Sequence, residues 1–169
     1  MSDPSPSSPA AAMPFLEAEF DLPPAAGPVR SYIIASTPRS GSMLLCDLLL
    51  ATGRMGVPAE YFNQRDMIAP MAVRLGLALP VGMGTYVREL LRRRATANGV
   101  FGAKMMGGFV WDFVSRVRQI PEFAAQPGMP LKAMLDELFP NLHHIWVTRR
   151  NKVRQAVSWW MATQTNQWT

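Results

Sequence analysis

The chain has 169 residues, 49% of them hydrophobic and 17% charged, so it can form one domain with a core and is not disordered as a whole. Its single cysteine, Cys46, excludes a disulfide framework and favours a reducing compartment. No apolar run is long enough to cross a bilayer, and the N-terminus lacks the features of a secretory signal. We therefore expect a cytoplasmic protein.

The net charge of +5 is concentrated in the second half of the chain. Residues 86–169 carry 12 of the 17 basic side chains and 5 of the 12 acidic ones. Fourteen of the basic residues are Arg, whose forked guanidinium suits phosphate and sulfate oxygens. An anionic ligand is predicted. Nucleic acid is not expected as a partner, because aromatic residues do not interleave with the basic ones.

The elements begin after a Pro-, Ala- and Ser-rich stretch, residues 1–30, which predicts a flexible leader. Residues 31–169 are expected to form one domain. Its first unit is a strand over residues 31–36, a tight turn containing Pro38 and Gly41, and a helix over residues 42–50 that stops near Gly53.

The remaining elements alternate between strands and helices. In chain order they are a loop around 57–62, helices at 63–75 and 86–97, a strand at 100–106, helices at 109–119 and 131–138, a strand at 142–148 and a helix at 150–163. This alternation predicts a three-layer α/β fold with a parallel sheet. One of Trp159 and Trp160 is expected to pack into the core. Three strands make a small sheet, so a truncated domain is expected.

The strongest motif is Thr37-Pro38-Arg39-Ser40-Gly41-Ser42, between the first strand and the first helix. A turn at a helix N-terminus directs backbone N–H groups and partial positive charge toward an anion. Gly41 allows close approach, Ser40 and Ser42 offer hydroxyls, and Arg39 supplies a cation. The alternative is a helix cap with an incidental Arg. ATP is not expected, because the Lys of a nucleotide-hydrolysing P-loop is missing.

The second motif runs from Arg149 to Ser158. Arg150 ends the third strand, and Ser158 lies two helical turns further on the same side, so the two could hold one phosphate. Basic residues at a helix N-terminus oppose the helix dipole and therefore favour a bound anion. These are Arg149, Arg150, Lys152 and Arg154.

Other polar residues carry weaker signals. Lys104, at the end of the second strand, either faces the ligand crevice of the sheet or extends to solvent. His143 and His144 point to opposite faces of a strand, so no metal site is predicted. Cys46 is expected to be a packed apolar residue, and Glu60, from its own surroundings, a surface carboxylate in a loop.

Four segments in this order resemble the bacterial sulfotransferase family typified by trehalose 2-sulfotransferase. They are residues 36–42, 56–62, 101–104 and 149–168. The resemblance implies a sulfotransferase-type α/β fold with P-loop-like nucleotide-binding topology. It also implies 3′-phosphoadenosine 5′-phosphosulfate as sulfuryl donor, no metal, a carbohydrate or glycolipid acceptor such as trehalose, and a homodimer.

The resemblance also implies roles for individual residues. Arg39, Ser40, Gly41 and Ser42 would bind the 5′ side of the donor, and Arg150 with Ser158 its 3′-phosphate. Glu60 would be the general base, and Arg39 would stabilise charge on the transferring group. The expected acceptor pocket comprises Val57, Pro58, Ala59, Glu60, Tyr61, Phe62 and Asn63.

Two positions depart from the family pattern. Met43 replaces a second hydroxyl residue, and Pro38 replaces the Gln that contacts sugar in the trehalose enzymes, so the acceptor stays open. The alternative function is a truncated, non-catalytic remnant that binds adenosine bisphosphate. A kinase-like enzyme would instead require binding of ATP and Mg²⁺.

Overall fold

The computed structural model describes residues 15–23, 30–63 and 66–167. Its sheet has three strands, β1 (Arg30–Ser36), β2 (Val100–Met106) and β3 (Leu142–Val147). The strands are parallel in the order β2-β1-β3, so β1 lies in the centre. The predicted strands and their parallel arrangement are confirmed.

The described residues form seven α-helices. They are α1 (Ser42–Ala51), α2 (Ile68–Arg74), α3 (Met83–Arg94), α4 (Val110–Arg118), α5 (Pro121–Ala124), α6 (Leu131–Leu138) and α7 (Lys152–Thr165). The second of them starts later than predicted, and Asn63 and Asp66, which precede it, hydrogen-bond to each other. Helix α3 starts three residues earlier than predicted and ends at Arg94, and the short α5 was not predicted.

Helices flank the sheet on both faces. Along β1, Ile33 packs into a large core with side chains of α3, α4 and α6. Its neighbours Tyr32 and Ile34 point to the opposite face and pack against Cys46 of α1. The α/β prediction is therefore confirmed as a parallel sheet covered by helices, with the ends of β1, β2 and β3 at one edge.

Part of the predicted leader packs on the domain. Phe15 is buried in the core, and the fully buried Arg94 donates a hydrogen bond to its carbonyl oxygen at 2.9 Å. The same guanidinium pairs with Asp21 at 2.8 Å, which compensates its charge. Residues 15–23 are therefore not a free tail, and the rest of the predicted leader, 1–14 and 24–29, lies outside the described residues.

Helix α7 leaves much of its apolar surface in solvent. Trp159 and Trp160 are 50% and 65% exposed, so the prediction that one of them packs into the core is wrong. Within α7 only Ala162 is buried, and Trp146 on β3 is also exposed. The helical spacing was correct, but among the described residues no element covers this side. No described helix is long and apolar enough to cross a membrane.

Candidate functional site

The loop between β1 and α1 has the backbone of an anion-binding turn. Arg39 and Gly41 both have positive φ, at 60° and 91°. Arg39 is a non-glycine residue in this region, which costs about 1–3 kcal/mol and is typical of functional turns. Gly41 is the N-cap of α1 and offers no side chain, so the first amides of the helix are not capped by it. These amides and the positive end of the helix dipole are available to an anion.

The two serines of this loop differ in their surroundings. Ser42 is buried at the first position of α1. The Ser40 hydroxyl oxygen is also buried and has no hydrogen-bond partner among the described residues. A buried hydroxyl without a partner is costly, so a ligand oxygen near Ser40 would complete its hydrogen bonding.

Hydrogen bonds join this loop to α7. Arg39 Nε donates to Ser158 Oγ at 2.8 Å. Gln155 Nε2 donates to the carbonyl oxygen of Pro38 at 2.7 Å and to Thr37 Oγ1 at 3.0 Å. The two predicted motifs, about 110 residues apart in sequence, are therefore in direct contact.

A cleft of about 440 Å³ lies where the loop meets α7. Its polar lining, in which no described residue is acidic, consists of Arg39, Arg149, Arg154, Ser158, Thr165 and Gln167. Its apolar lining consists of Val153, Val157, Met161 and Ala162. Cationic and apolar groups in one cleft suit a ligand with an anionic part and a flat apolar part, such as a nucleotide.

The cleft contains Arg149 and not Arg150. Arg149 lines it and donates a long hydrogen bond, 3.4 Å, to the carbonyl oxygen of Arg39. Arg150 is exposed and is not part of the cleft wall. Helix α7 begins at Lys152 after Asn151, whose side chain accepts a hydrogen bond from the backbone N–H of Arg154. The strand-to-helix turn therefore directs the earlier of the two arginines toward the loop.

Glu60 lies in a segment that runs beside β2. Ala59 forms a parallel bridge with Ala103. The backbone N–H of Lys104 donates a hydrogen bond to the carbonyl oxygen of Ala59 at 2.8 Å. Gly56 has a φ of 72°, and a Cβ there would lie 2.8 Å from the backbone nitrogen of Gly102. Only glycine allows the segment to approach β2 this closely.

Most of the predicted acceptor pocket is buried in the core. Tyr61 and Phe62 are fully buried, and Tyr61 donates a hydrogen bond from its hydroxyl to the carbonyl oxygen of Val57. Phe62 packs against Phe113 with ring centroids 4.6 Å apart. Of residues 57–63, Glu60 and Asn63 reach the surface, whereas the others are buried: Val57, Pro58, Ala59, Tyr61 and Phe62. The aromatic residues next to Glu60 therefore pack in the core and anchor the segment that carries its carboxylate.

The carboxylate of Glu60 forms an ion pair that the sequence did not predict. Its Oε1 lies 2.7 Å from Nζ of Lys104, and the two side chains are 28% and 4% exposed. Lys104 therefore does not extend to solvent, and whether it faces the ligand crevice stays a prediction. Cys46, on the same face of the sheet, is fully buried, and burial raises the pKa of its thiol to about 11. Its thiol stays neutral near pH 7 and is not a nucleophile.

The sequence profile of the Stf0 sulphotransferase family matches residues 31–169. The chain belongs to the Stf0 sulfotransferase family. It is 32% identical over 164 residues to trehalose 2-sulfotransferase of Mycobacterium tuberculosis (strain ATCC 35801 / TMC 107 / Erdman), with 83% of the chain covered. It is 30% identical over 158 residues to trehalose 2-sulfotransferase of Mycolicibacterium smegmatis, with 82% covered. The matches span 59% and 58% of these relatives' own lengths.

This membership confirms the family resemblance that the sequence motifs indicated. The Stf0 match includes the loop after β1, the segment around Glu60 and helix α7. The contacts of two residues in this region were not predicted from the sequence. Arg149 was named as one of four basic residues that favour an anion and Lys104 as a residue of the crevice or the surface, but their contacts lie far away in sequence.

Proposed function

We propose that this chain transfers a sulfuryl group from 3′-phosphoadenosine 5′-phosphosulfate to a hydroxyl group of a carbohydrate or glycolipid. The observation that carries the proposal is the cleft in which Arg39 and Ser158 are hydrogen-bonded beside Arg149. Through Arg39 the cleft adjoins the loop that carries the uncapped N-terminus of α1, and a donor with phosphates at both ends of its ribose needs two anion-binding groups of this kind. Family membership supports the same reaction class.

The loop after β1 is proposed to bind the 5′ side of the donor. The amides at the start of α1, with the hydroxyls of Ser40 and Ser42, would donate to phosphosulfate oxygens, and Gly41 allows the approach. Arg39 would stabilise the negative charge that develops on the leaving phosphate. The buried and unsatisfied hydroxyl of Ser40 supports this assignment.

Arg149 and Ser158 are proposed to bind the 3′-phosphate. Both line the cleft, and a guanidinium with an adjacent hydroxyl provides charge-assisted hydrogen bonds to phosphate oxygens. Arg150, which the sequence predicts for this role, lies one residue further along the same turn. Substitution of each arginine in turn distinguishes them.

Glu60 is proposed to be the general base. A hydroxyl of the acceptor attacks the sulfur, the new O–S bond forms, and the bond from sulfur to the phosphate oxygen breaks. The hydroxyl proton passes to the Glu60 carboxylate, and adenosine 3′,5′-bisphosphate leaves with the electron pair of the broken bond. The position of Glu60 beside β2, close to Lys104, whose register partner lies two residues before the C-terminal end of β1, supports this role.

The names of the relatives, trehalose 2-sulfotransferases, support a sugar as acceptor. Trehalose is therefore the first acceptor to test, followed by other sugars and glycolipids, because the family resemblance implies Gln in the trehalose enzymes at the position of Pro38. Of residues 57–63, Glu60 and Asn63 are the side chains placed to meet an acceptor. A cytoplasmic location and a homodimer remain predictions.

The donor assignment is tested by thermal unfolding with adenosine 3′,5′-bisphosphate and, separately, with ADP. At a concentration one hundred times its Kd, a ligand of the folded state adds about 2.7 kcal/mol to the free energy of unfolding. We expect a rise in Tm with the bisphosphate and a much smaller one with ADP, which lacks the 3′-phosphate. Equal shifts with both nucleotides, or none, would contradict the assignment.

The second candidate is a non-catalytic protein that binds adenosine bisphosphate. The cleft of Arg39, Arg149 and Ser158 supports nucleotide binding in this case as well. Selective stabilisation by the bisphosphate without transfer to any acceptor would select this function.

A further inference from the structure

The ion pair between Lys104 and Glu60 is unusual in its burial. The Lys104 side chain is 4% exposed and projects from β2 on the face that holds Ile34 and Cys46, both fully buried. Moving an ammonium group out of water costs several kcal/mol unless it is paired. The buried ammonium group of Lys104 therefore destabilises the fold unless Glu60 pairs with it.

Two independent links fix the partner. The first link joins the side chains, with Nζ of Lys104 2.7 Å from Oε1 of Glu60. The second link joins the backbones, because the N–H of Lys104 donates a hydrogen bond to the carbonyl oxygen of Ala59 at 2.8 Å. The backbone thus sets Glu60 against β2, and the ammonium group then sets the rotation of its carboxylate.

Stability alone does not account for the pair. Apolar side chains in place of both members of a buried ion pair avoid the desolvation cost, and such double replacements are often neutral or stabilising. The pair is also asymmetric, because its cation is buried whereas its carboxylate is 28% exposed. The arrangement holds an accessible carboxylate in one orientation.

We propose that Lys104 is a positioning residue for the general base, an inference that rests on the proposed function. Its ammonium group holds Oε1 of Glu60 and leaves Oε2 to accept the proton of the acceptor hydroxyl. Lys104 keeps its own proton throughout the reaction. It has no direct role in donor binding, since the cleft wall is formed by other residues, Arg39, Arg149 and Ser158 among them.

The experiment measures kcat, KM for the donor and Kd for adenosine 3′,5′-bisphosphate in Lys104→Met. We expect kcat to fall about 100-fold, because a misplaced catalytic group costs a factor of this order. Donor KM and bisphosphate Kd should stay within about twofold, because no cleft contact changes. Thermal melting must show that the variant is folded at the assay temperature, since the Glu60 carboxylate loses its partner.

Chemical rescue separates positioning from packing. In Lys104→Ala, added ethylammonium is expected to restore part of kcat with saturation, because a small cation can occupy the vacated space beside Glu60. In the Glu60→Gln background, Lys104→Met should cause no further fall in kcat, since the two residues act as a unit. Lys132→Met is the matched control, because Lys132 also pairs with a carboxylate, Asp136, but is 84% exposed on α6.

The outcomes distinguish this inference from the function on which it rests. A wild-type chain that transfers no sulfuryl group to any acceptor contradicts the proposed function, and the proposed role of Lys104 fails with it. An active wild type whose Lys104→Met variant keeps its kcat contradicts the role of Lys104 alone. A variant that loses bisphosphate affinity as much as kcat, or a Lys104→Ala variant that ethylammonium does not rescue, also overturns the role.

Discussion

Replacing Glu60 with Gln is expected to lower kcat for sulfuryl transfer by about 10²- to 10⁴-fold, the range typical of a lost general base. The amide has the shape of the carboxylate but cannot accept the hydroxyl proton. Glu60 does not line the cleft, so the Kd for adenosine 3′,5′-bisphosphate should not change. Steady-state kinetics with titration calorimetry on the same samples checks both expectations.

The matched control for this change is Asp47→Asn. Asp47 carries the same kind of side chain on α1 and is exposed, so its amide should leave kcat unchanged. Gln at position 60 leaves the buried ammonium of Lys104 with a neutral acceptor, so thermal melting must show that the variant is folded at the assay temperature. A folded Glu60→Gln variant with wild-type kcat would exclude Glu60 as the base.

Replacing Arg149 with Ala is expected to raise the Kd for adenosine 3′,5′-bisphosphate by about 10- to 100-fold. A hydrogen bond to a charged group contributes about 1.5–3 kcal/mol, and each 1.4 kcal/mol changes affinity about tenfold. Arg149 lines the cleft beside Arg39 and Ser158. The affinity for adenosine 5′-monophosphate should fall much less, because that nucleotide has no 3′-phosphate for Arg149 to bind.

Arg150→Ala is the matched control, with the same charge removed one residue away. Arg150 is exposed and outside the cleft wall, so its effect is limited to screened electrostatics and should stay within about threefold at 0.15 M salt. The opposite order of effects would assign the 3′-phosphate to Arg150, as the sequence predicts, and would contradict the assignment to Arg149.

Local chemistry in the sequence was sufficient to predict the centre of the fold. The strand formers of β1, the turn residues after them and the apolar face of α1 all act within a few residues of one another. Their prediction needed no knowledge of distant contacts. The same holds for the loop of Arg39 and Gly41, whose positive φ values follow the turn that the motif predicts.

The remaining site depended on contacts between distant parts of the chain. Lys104 and Glu60 are 44 residues apart and meet because residue 59 pairs with β2, which periodicity does not reveal. Which of Arg149 and Arg150 lines the cleft depended on where α7 begins, and helix boundaries are the least certain feature of a sequence-based prediction. Tyr61 and Phe62 resembled pocket residues but fill the core.

The most direct test of the central claim is transfer of labelled sulfate from 3′-phosphoadenosine 5′-[³⁵S]phosphosulfate. The chain is incubated with donor and with trehalose, other sugars or glycolipids, and Glu60→Gln serves as the blank. We predict label in an ester with a sugar hydroxyl, formed in equal amount with adenosine 3′,5′-bisphosphate. Release of bisphosphate without labelled sugar, or no label from any acceptor in a chain that binds bisphosphate, would contradict the claim.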